Sequence, residues 1–489
     1  MSDSEMTDAD ELSVSSGDTE VAADVSEKAK EHLNEMKGAL LDERPPYCSS
    51  TIAVDPKDLI LFYEGGGHVG RIDFANPSDS DLEKLMQACD PAKFGHGVEN
   101  VYDESVRKAG KLDTDKFAAK LNPFDIRVEG SEIVNVLDAV KFGLLWGNEI
   151  RNEARNDDDH CLAKEIKAEL YKLNVYGKDG FFKSHKDTPR ATNMFGSLVI
   201  VLPTAHTGGE LVFRRRSKEW TFDPASAISK ATVPSIVYAT FFSDVEHEVL
   251  PVKEGYRVTL TYNLYYKKPI EDRIPRIPTE ATLPSNAELF KTALEKSVAD
   301  KDFLPKGGLL GFGLQHLYPV FKSVWASRGN LVHPHLKGFD ALVLSVCREA
   351  GLKTRIYFFV EDAIISENVP DHTLEDYFID EILEAFDGKP VTEKYAKKYA
   401  KGRRVHPITW VTKNTTFNNH SIDYCGEETL GNEANIEHAY AELVLIANVG
   451  PVEARKTYTD EEASSSDDER LAKKEKQEQD SDEFSASDN

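Results

Sequence analysis

The sequence is short of the features that mark an exported or membrane-bound protein. Its five cysteines, Cys48, Cys89, Cys161, Cys347 and Cys425, are odd in number and include no CxxC pair. That gives no disulfide framework and no thiolate metal box, and it fits free thiols in a reducing compartment. No run of 18 apolar residues occurs, so no membrane-spanning helix is expected. The opening residues, MSDSEMTDAD, are acidic and lack the apolar stretch of a secretory signal. Positive charge is also scarce, with 59 Lys and Arg against 85 Asp and Glu and a formal net charge of −26. A chain of that sign has no general attraction for a nucleic-acid backbone. The expected location is the cytosol or nucleus, with neither membrane nor nucleic acid as partner.

The charge is uneven. Residues 1–35 hold eleven acids and two lysines, a net −9, and residues 460–489 hold twelve acids and four bases, a net −8. The two ends therefore carry −17 of the −26, and the body is only mildly acidic. Self-repelling segments with little apolar surface cannot offset their ordering entropy, so residues 1–44 and 456–489 are expected to be disordered, although Val25 to Leu41 has the makings of a short helix. Between them the composition suggests a helical and stranded support over 45–164, a β-rich core over 165–268, a Pro/Lys/Arg-rich linker over 269–285, and a mixed α/β region over 286–455.

Several local patterns guide this division. Gly65-Gly66-Gly67-His68-Val69-Gly70 has GxGxxG spacing, but a dinucleotide site needs a helix to open there. Arg71-Ile72-Asp73-Phe74 instead reads as a second strand after Leu59–Tyr63, so a hairpin turn is expected. Ser80 to Cys89 reads as a helix with a capping box at Ser80 and Glu83. Ser131 to Arg155 reads as a longer amphipathic helix carrying Ile133, Val136, Leu137, Val140 and Leu144 on one stripe. From Ala168 to Tyr266, short β-rich runs (LYKLNVY, FGSLVIVLP, ELVFRR, SIVYATFF, YRVTLTYNLYY) alternate with turn residues, the pattern of a closed or rolled β structure. Further on, Phe339 to Ala350 and Leu374 to Phe386 read as helices. Ile356–Val360, Ile408–Phe417 and Leu443–Val449 read as strands.

Chemistry concentrates in the β-rich core. His185 and Asp187 stand at i and i+2, which in a strand puts both side chains on one face, where an imidazole and a carboxylate can grip one divalent metal. His247 is the candidate third ligand. Two His and one carboxylate on one side of a metal leave three open positions, the arrangement of non-haem Fe(II) oxygenases, although a zinc site is not excluded by the ligand set alone. Arg257 follows ten residues later in a strong strand. Its guanidinium fork suits a carboxylate held deep in a barrel. Thr259 shares the face of Arg257 and can offer a hydroxyl, and Tyr176 can hydrogen-bond or pack beside the same ligand.

His185-x-Asp187, His247 and Arg257 in this order resemble the signature of the prolyl 4-hydroxylase-like 2-oxoglutarate/Fe(II) dioxygenases. Gly208-Gly209-Glu210-Leu211-Val212-Phe213 and the stretch from His247 through Pro251 and Gly255 to Arg257 look like further segments of that family. The likeness covers about residues 165–266, and the larger arrangement with acidic ends resembles that of fungal members. It implies an α+β chain built on a double-stranded β-helix, or jelly roll. It implies His185, Asp187 and His247 as ligands of Fe(2+), with Arg257, Thr259 and Tyr176 around 2-oxoglutarate. It also implies O2 as co-reactant, ascorbate as auxiliary reductant and a protein side chain, proline among them, as substrate. In the implied reaction 2-oxoglutarate and O2 become succinate and CO2 while a C–H bond is oxidised. Gly431-Asn432-Glu433-Ala434 and Tyr440 look like a segment the fungal proteins share, with no chemistry attached to it.

The likeness has departures. Val201 falls where some prolyl hydroxylases place a cosubstrate-binding tyrosine, and the basic residue is Arg rather than Lys. The metal-binding Asp argues against the related halogenases. Nucleic-acid demethylases of this class often carry an Arg six residues after the cosubstrate Arg, where this chain has Asn263. A binding protein on a silenced oxygenase fold is the reading from a different class, and the intact ligand set speaks against it. Residues 286–455 read either as a recruiting or dimerising domain or as a second, degenerate β-helix without iron. His316, His333 and His335 read as loop histidines, Arg214-Arg215-Arg216 as a solvated strand end, and Ser464–Ser466 before Asp467 as a kinase target.

Overall fold

Alternation of inward and outward residues builds nine strands into the core of this protein. The structure, a computed structural model, describes residues 26–41, 44–122, 136–145, 166–215, 217–267, 285–321, 336–358, 408–413, 430–434 and 437–455. The core strands are β1 (Tyr47–Ala53), β2 (Ile166–Tyr176), β3 (Phe181–His185), β4 (Met194–Val201), β5 (Leu211–Arg215), β6 (Lys218–Phe222), β7 (Ser235–Phe242), β8 (Glu246–Val249) and β9 (Arg257–Tyr266). They form two sheets. The larger runs β1-β7-β4-β9-β2 and continues through Gly110–Asp113 to Asp90–Pro91. The smaller runs β6-β5-β8-β3 and ends on Arg107–Lys108.

From β2 to β9 the chain passes back and forth between the sheets, all pairings are antiparallel, and the sheets meet face to face. Tyr47 of β1 stacks on Phe213 of β5 with ring centroids 4.3 Å apart. This is the double-stranded β-helix expected from the sequence. Its filler is aliphatic and aromatic. Leu198, Ile200, Ile236, Val237, Val258 and Leu260 are fully buried, and a truncation such as Leu198→Ala costs about 2–5 kcal/mol.

The core begins earlier than residue 165. β1 and the short strands at 90–91, 107–108 and 110–113 complete the two sheets, so part of the expected support region is core. The glycine-rich stretch is a hairpin turn between Ile60–Gly65 and His68–Asp73, with no helix opening on it. The helix after it spans Asp79–Ala88 and starts one residue earlier than expected. Ser78, after Pro77, is its cap, accepting from the Asp81 backbone N–H at 3.2 Å, so Ser80 and Glu83 form no capping box. Of the longer helix expected over 131–155, Val136–Gly143 is helical, Leu144 and Leu145 already turn out of it, and residues 131–135 and 146–155 lie outside the described residues.

Of the segment expected to be disordered, residues 1–25, 42 and 43 lie outside the described residues, and the short helix expected over Val25–Leu41 is present and packed against the second region rather than lying in a disordered tail. Glu27–Leu40 is a helix capped by Ser26, and its stripe of Ala29, His32, Met36, Ala39 and Leu40 is buried. It packs beside the helix Ser285–Ala299 in one apolar cluster with Phe290, Leu294 and Phe303. Mean acidity hid a stripe that becomes favourable only against a partner about 250 residues away. That partner belongs to the second region, a sheet of β10 (Gly308–Phe321), β11 (Lys353–Phe358), β12 (Ile408–Thr412) and β13 (His438–Val449) in the order β11-β13-β10-β12, with the helix Gly338–Glu349 against it. Among the described residues these four strands form one sheet with helices against it, and the short strand Leu430–Gly431 pairs instead with Phe94–His96. The helix expected over 374–386, the tail from 456, His333, His335 and Ser464–Ser466 lie outside the described residues. No helix among the described residues is long and apolar enough to cross a membrane.

Candidate metal centre

The alternation that builds β9 also sorts its chemistry. Val258, Leu260, Tyr262 and Leu264 point one way, and Arg257, Thr259 and Thr261 point into the space between the sheets. β2 contributes Lys172, Asn174 and Tyr176 to the same space, and β4 contributes Ser197 and Val199. Polar side chains at i and i+2 of strands buried on both faces thus mark the lumen. The resulting pocket is closed by Phe182, His185, Asp187, Phe241, His247 and Val249.

His185 ends β3, Asp187 lies just beyond it, and His247 stands directly across from His185 on β8. One ligand atom from each of the three lies within 4.8 Å of the others, and all three residues are buried. Asp187 Oδ1 is 3.9 Å from His247 Nε2. The imidazoles are held in one tautomer. His185 Nδ1 is 2.8 Å from the Lys183 carbonyl, and His247 Nδ1 is 2.9 Å from the Val245 carbonyl. A carbonyl only accepts, so each Nδ1 carries the proton and each Nε2 presents a lone pair. Burial, then the neighbouring His247, push His185 well below the usual imidazole range, which keeps it neutral as a metal ligand must be. Phe182 stacks on His185 at 3.6 Å between centroids and Phe241 lies 4.5 Å from His247, so the rings are fixed in a dry wall.

The Asp187 carboxylate is held from both sides. The Ser197 hydroxyl donates to Oδ2, and the Asn432 amide donates to Oδ1 at 2.7 Å. Two His nitrogens and one carboxylate oxygen fit a divalent cation that keeps open positions, as Fe(II) does in this type of triad.

Arg257 lies deeper in the lumen. It is 1% exposed, and its Nε and Nη2 have no hydrogen-bond partner among the described residues. Its guanidinium sits 5.3 Å from the Tyr176 ring, its cross-strand neighbour. Burial lowers its pKa, the sign of a charge awaiting a counter-ion. Room for it comes from Gly209, whose φ is +73° and where an added Cβ would lie 2.8 Å from Arg257 Cδ. A buried, unpaired fork beside a metal triad fits the far carboxylate of a dicarboxylate whose other end chelates the metal. Thr259, one step along the same face, lines the same space.

All six residues singled out in the sequence therefore line one pocket. Four partners of this site were not singled out for it: Ser197, Arg107, Asn174 and Asn432. Arg107 donates to Asn174 Oδ1 at 2.8 Å and lies over Phe182. Ser197 was legible as the lumen-facing residue of a buried strand. Asn432, 245 residues from Asp187, had no pairing signal. Of the three loop histidines expected, His316 stands on the strand β10 and bonds Asp244 at 3.1 Å, and it joins no metal-binding group among the described residues. Arg214 is paired with Glu219 and Glu248 rather than solvated alone.

Residues 171–265 match the family model described as the 2OG-Fe(II) oxygenase superfamily. No curated protein matches the chain. Similar solved structures include an oxidoreductase of the 2OG-Fe(II) oxygenase family from Burkholderia pseudomallei, 24% identical over 21% of this chain and 47% of that one, with a TM-score of 0.18. This chain thus spans about half the length of that relative. A prolyl-4-hydroxylase from Pseudomonas putida is 15% identical over 48% of this chain and all of that one, with a TM-score of 0.26. A prolyl hydroxylase from Trichoplax adhaerens, solved with a hypoxia inducible factor oxygen degradation domain peptide fragment, is 16% identical over 49% and 91%, with a TM-score of 0.23.

Proposed function

Taking residues 171–265 as a 2OG-Fe(II) oxygenase domain, we propose that this chain is a 2-oxoglutarate-dependent dioxygenase that hydroxylates a protein side chain, proline among the candidates. The observation that carries the reading is Arg257. A metal triad alone serves many reactions, whereas a buried guanidinium with unpaired donors beside it selects a dicarboxylate cosubstrate.

The roles follow from position. His185, Asp187 and His247 hold Fe(II). Arg257 binds the far carboxylate of 2-oxoglutarate, Thr259 adds a hydroxyl to it, and Tyr176 packs against the guanidinium. The bound iron supplies activation of O2, coupled to loss of CO2 from 2-oxoglutarate and formation of succinate. The residues around it supply a neutral, fixed pair of imidazoles, one oriented carboxylate and an aromatic wall that excludes water.

The choice of a protein substrate rests on the likeness of the ordered motifs to prolyl hydroxylases and on the acidity of the chain, which disfavours nucleic acid. The test is mass spectrometry of proteins from cells with and without this gene. One-oxygen mass gains that require both the gene and 2-oxoglutarate are expected, on proline if the narrower reading holds. Their absence from every protein, with 2-oxoglutarate turnover intact, would remove the protein-substrate part.

A further inference from the structure

The C-terminal region reaches back into the metal centre. Residues 430–434 lie against the metal-site strand: Leu430 and Gly431 pair with His96 and Gly95, Gly431 bridges to Lys186 beside the ligand Asp187, and Asn432 lines the pocket. The approach is so close that side chains are excluded. A Cβ on Gly95 would lie 1.8 Å from the Glu433 carbonyl oxygen, and one on Gly431 would lie 2.3 Å from Thr188 Oγ1. The segment is tied down by Thr188, whose hydroxyl donates to the Glu433 carbonyl at 2.6 Å, and by Lys172 and Arg190, which both pair with the Glu433 carboxylate.

Asn432 uses both ends of its amide here. Its Oδ1 accepts the Thr188 backbone N–H at 3.0 Å, and a backbone N–H can only donate. The amide is therefore oriented unambiguously, and its Nδ2 faces Asp187 Oδ1 at 2.7 Å. Oδ1 is the carboxylate oxygen 3.9 Å from His247 Nε2. A few residues on, the Tyr440 hydroxyl donates to the Asp187 backbone carbonyl at 2.8 Å. One segment of the second region thus fixes both the carboxylate plane and the backbone of the only acidic ligand. Asn432 is 8% exposed and Asp187 4%, so water cannot readily replace the contact between them.

We propose that Asn432 and Tyr440 are positioning residues of the iron site, and that the C-terminal region is a built-in part of the oxygenase centre rather than an appended recruiting module. This rests on the reading of His185, Asp187 and His247 as metal ligands. Residues that orient a ligand from behind typically change metal affinity about 10–100-fold when removed.

The test uses the full chain and Co(II) as probe, read by affinity and by the ligand-field absorption bands, which respond to the geometry of the carboxylate. Asn432→Ala is expected to weaken Co(II) about 10–100-fold and to shift the bands, with Tyr440→Phe moving both in the same direction by less. Val449→Ala, a buried position of β13 in the second core, is expected to lower the melting temperature with affinity and bands unchanged. Wild-type affinity and bands in Asn432→Ala, while His185→Ala loses Co(II), would overturn the proposal and leave the metal reading standing. Retention of Co(II) by His185→Ala would instead overturn the metal reading beneath it. Should Asn432→Ala not fold, Tyr440→Phe, which removes one oxygen atom, carries the test with the same signs.

Discussion

Replacing Arg257 by leucine is expected to move stability and cosubstrate binding in opposite directions. The guanidinium is 1% exposed and has no partner for Nε or Nη2 among the described residues. A buried charge without a counter-ion is costly, and replacing buried ionic groups by apolar ones of similar volume is often neutral or stabilising by about 1–4 kcal/mol. Leucine suits the aromatic neighbour, since the Tyr176 ring lies 5.3 Å from the guanidinium. Arg257→Leu should therefore resist urea as well as the wild type or better. Binding of 2-oxoglutarate behaves in the reverse sense. Loss of one partner of a buried, hydrogen-bonded charge pair costs about 2–5 kcal/mol, or roughly 30- to 5,000-fold in Kd. Calorimetry of 2-oxoglutarate binding to the Mn(II)-loaded protein reads the second quantity, and urea unfolding of the metal-free protein reads the first. A stabilised or neutral variant that no longer binds 2-oxoglutarate supports the assignment. A variant that loses several kcal/mol of stability would mean that Arg257 serves a structural anion, and unchanged 2-oxoglutarate affinity would refute its role outright.

Other outcomes follow from the same geometry. Gly209→Ala places a Cβ 2.8 Å from Arg257 Cδ at a φ of +73°, so it should destabilise the fold by about 1–3 kcal/mol and weaken 2-oxoglutarate binding, both measurable in the assays above. His247→Ala removes one of two imidazole ligands, and metal analysis should find the purified variant without iron under conditions that load the wild type fully. Asp244 is buried against Lys337 at 2.6 Å and His316 at 3.1 Å. Burial raises its pKa, but Lys337 and His316 outweigh that and hold it well below the usual carboxylate range. Because its folded pKa is the lower one, the stability it contributes is complete above about pH 4 and is lost as pH falls through the folded value. Asp244→Asn should therefore cost about 3–5 kcal/mol at pH 7, by leaving Lys337 buried and unpaired, and the gap to wild type should narrow in acid unfolding below pH 4.

What the sequence showed well was whatever local spacing dictates. The alternation of β9 and the glycine hairpin at 65–67 are properties of short segments and appear as expected, and His185 and Asp187 meet at one site although the strand ends at His185 and Asp187 lies just past it. Arg257 was legible for a sharper reason, since an arginine amid Val, Leu and Tyr in a buried strand needs an anion. The missing parts are long-range. Nothing near Glu27 shows that its helix would find the stripe of Ser285–Ala299, and nothing near Asn432 shows that it would dock on Asp187. Tyr440 and the Gly431–Ala434 segment stood out as a pattern without chemistry, because the chemistry belongs to a residue about 250 positions away. Asp244 was likewise invisible as a tie between regions, since its partners are His316 on β10 and Lys337 at the cap of the helix Gly338–Glu349, both far along the chain.

The central claim is that His185, Asp187, His247 and Arg257 together run 2-oxoglutarate chemistry. The most direct measurement is succinate formation by the purified, Fe(II)-loaded chain given 2-oxoglutarate, O2, ascorbate and a peptide pool from cells lacking the gene. Succinate accumulating with matching O2 uptake, and falling to background in both His185→Ala and Arg257→Leu, is the predicted result. Succinate at the same background level in the wild type and both variants, from protein shown to contain iron, would contradict it.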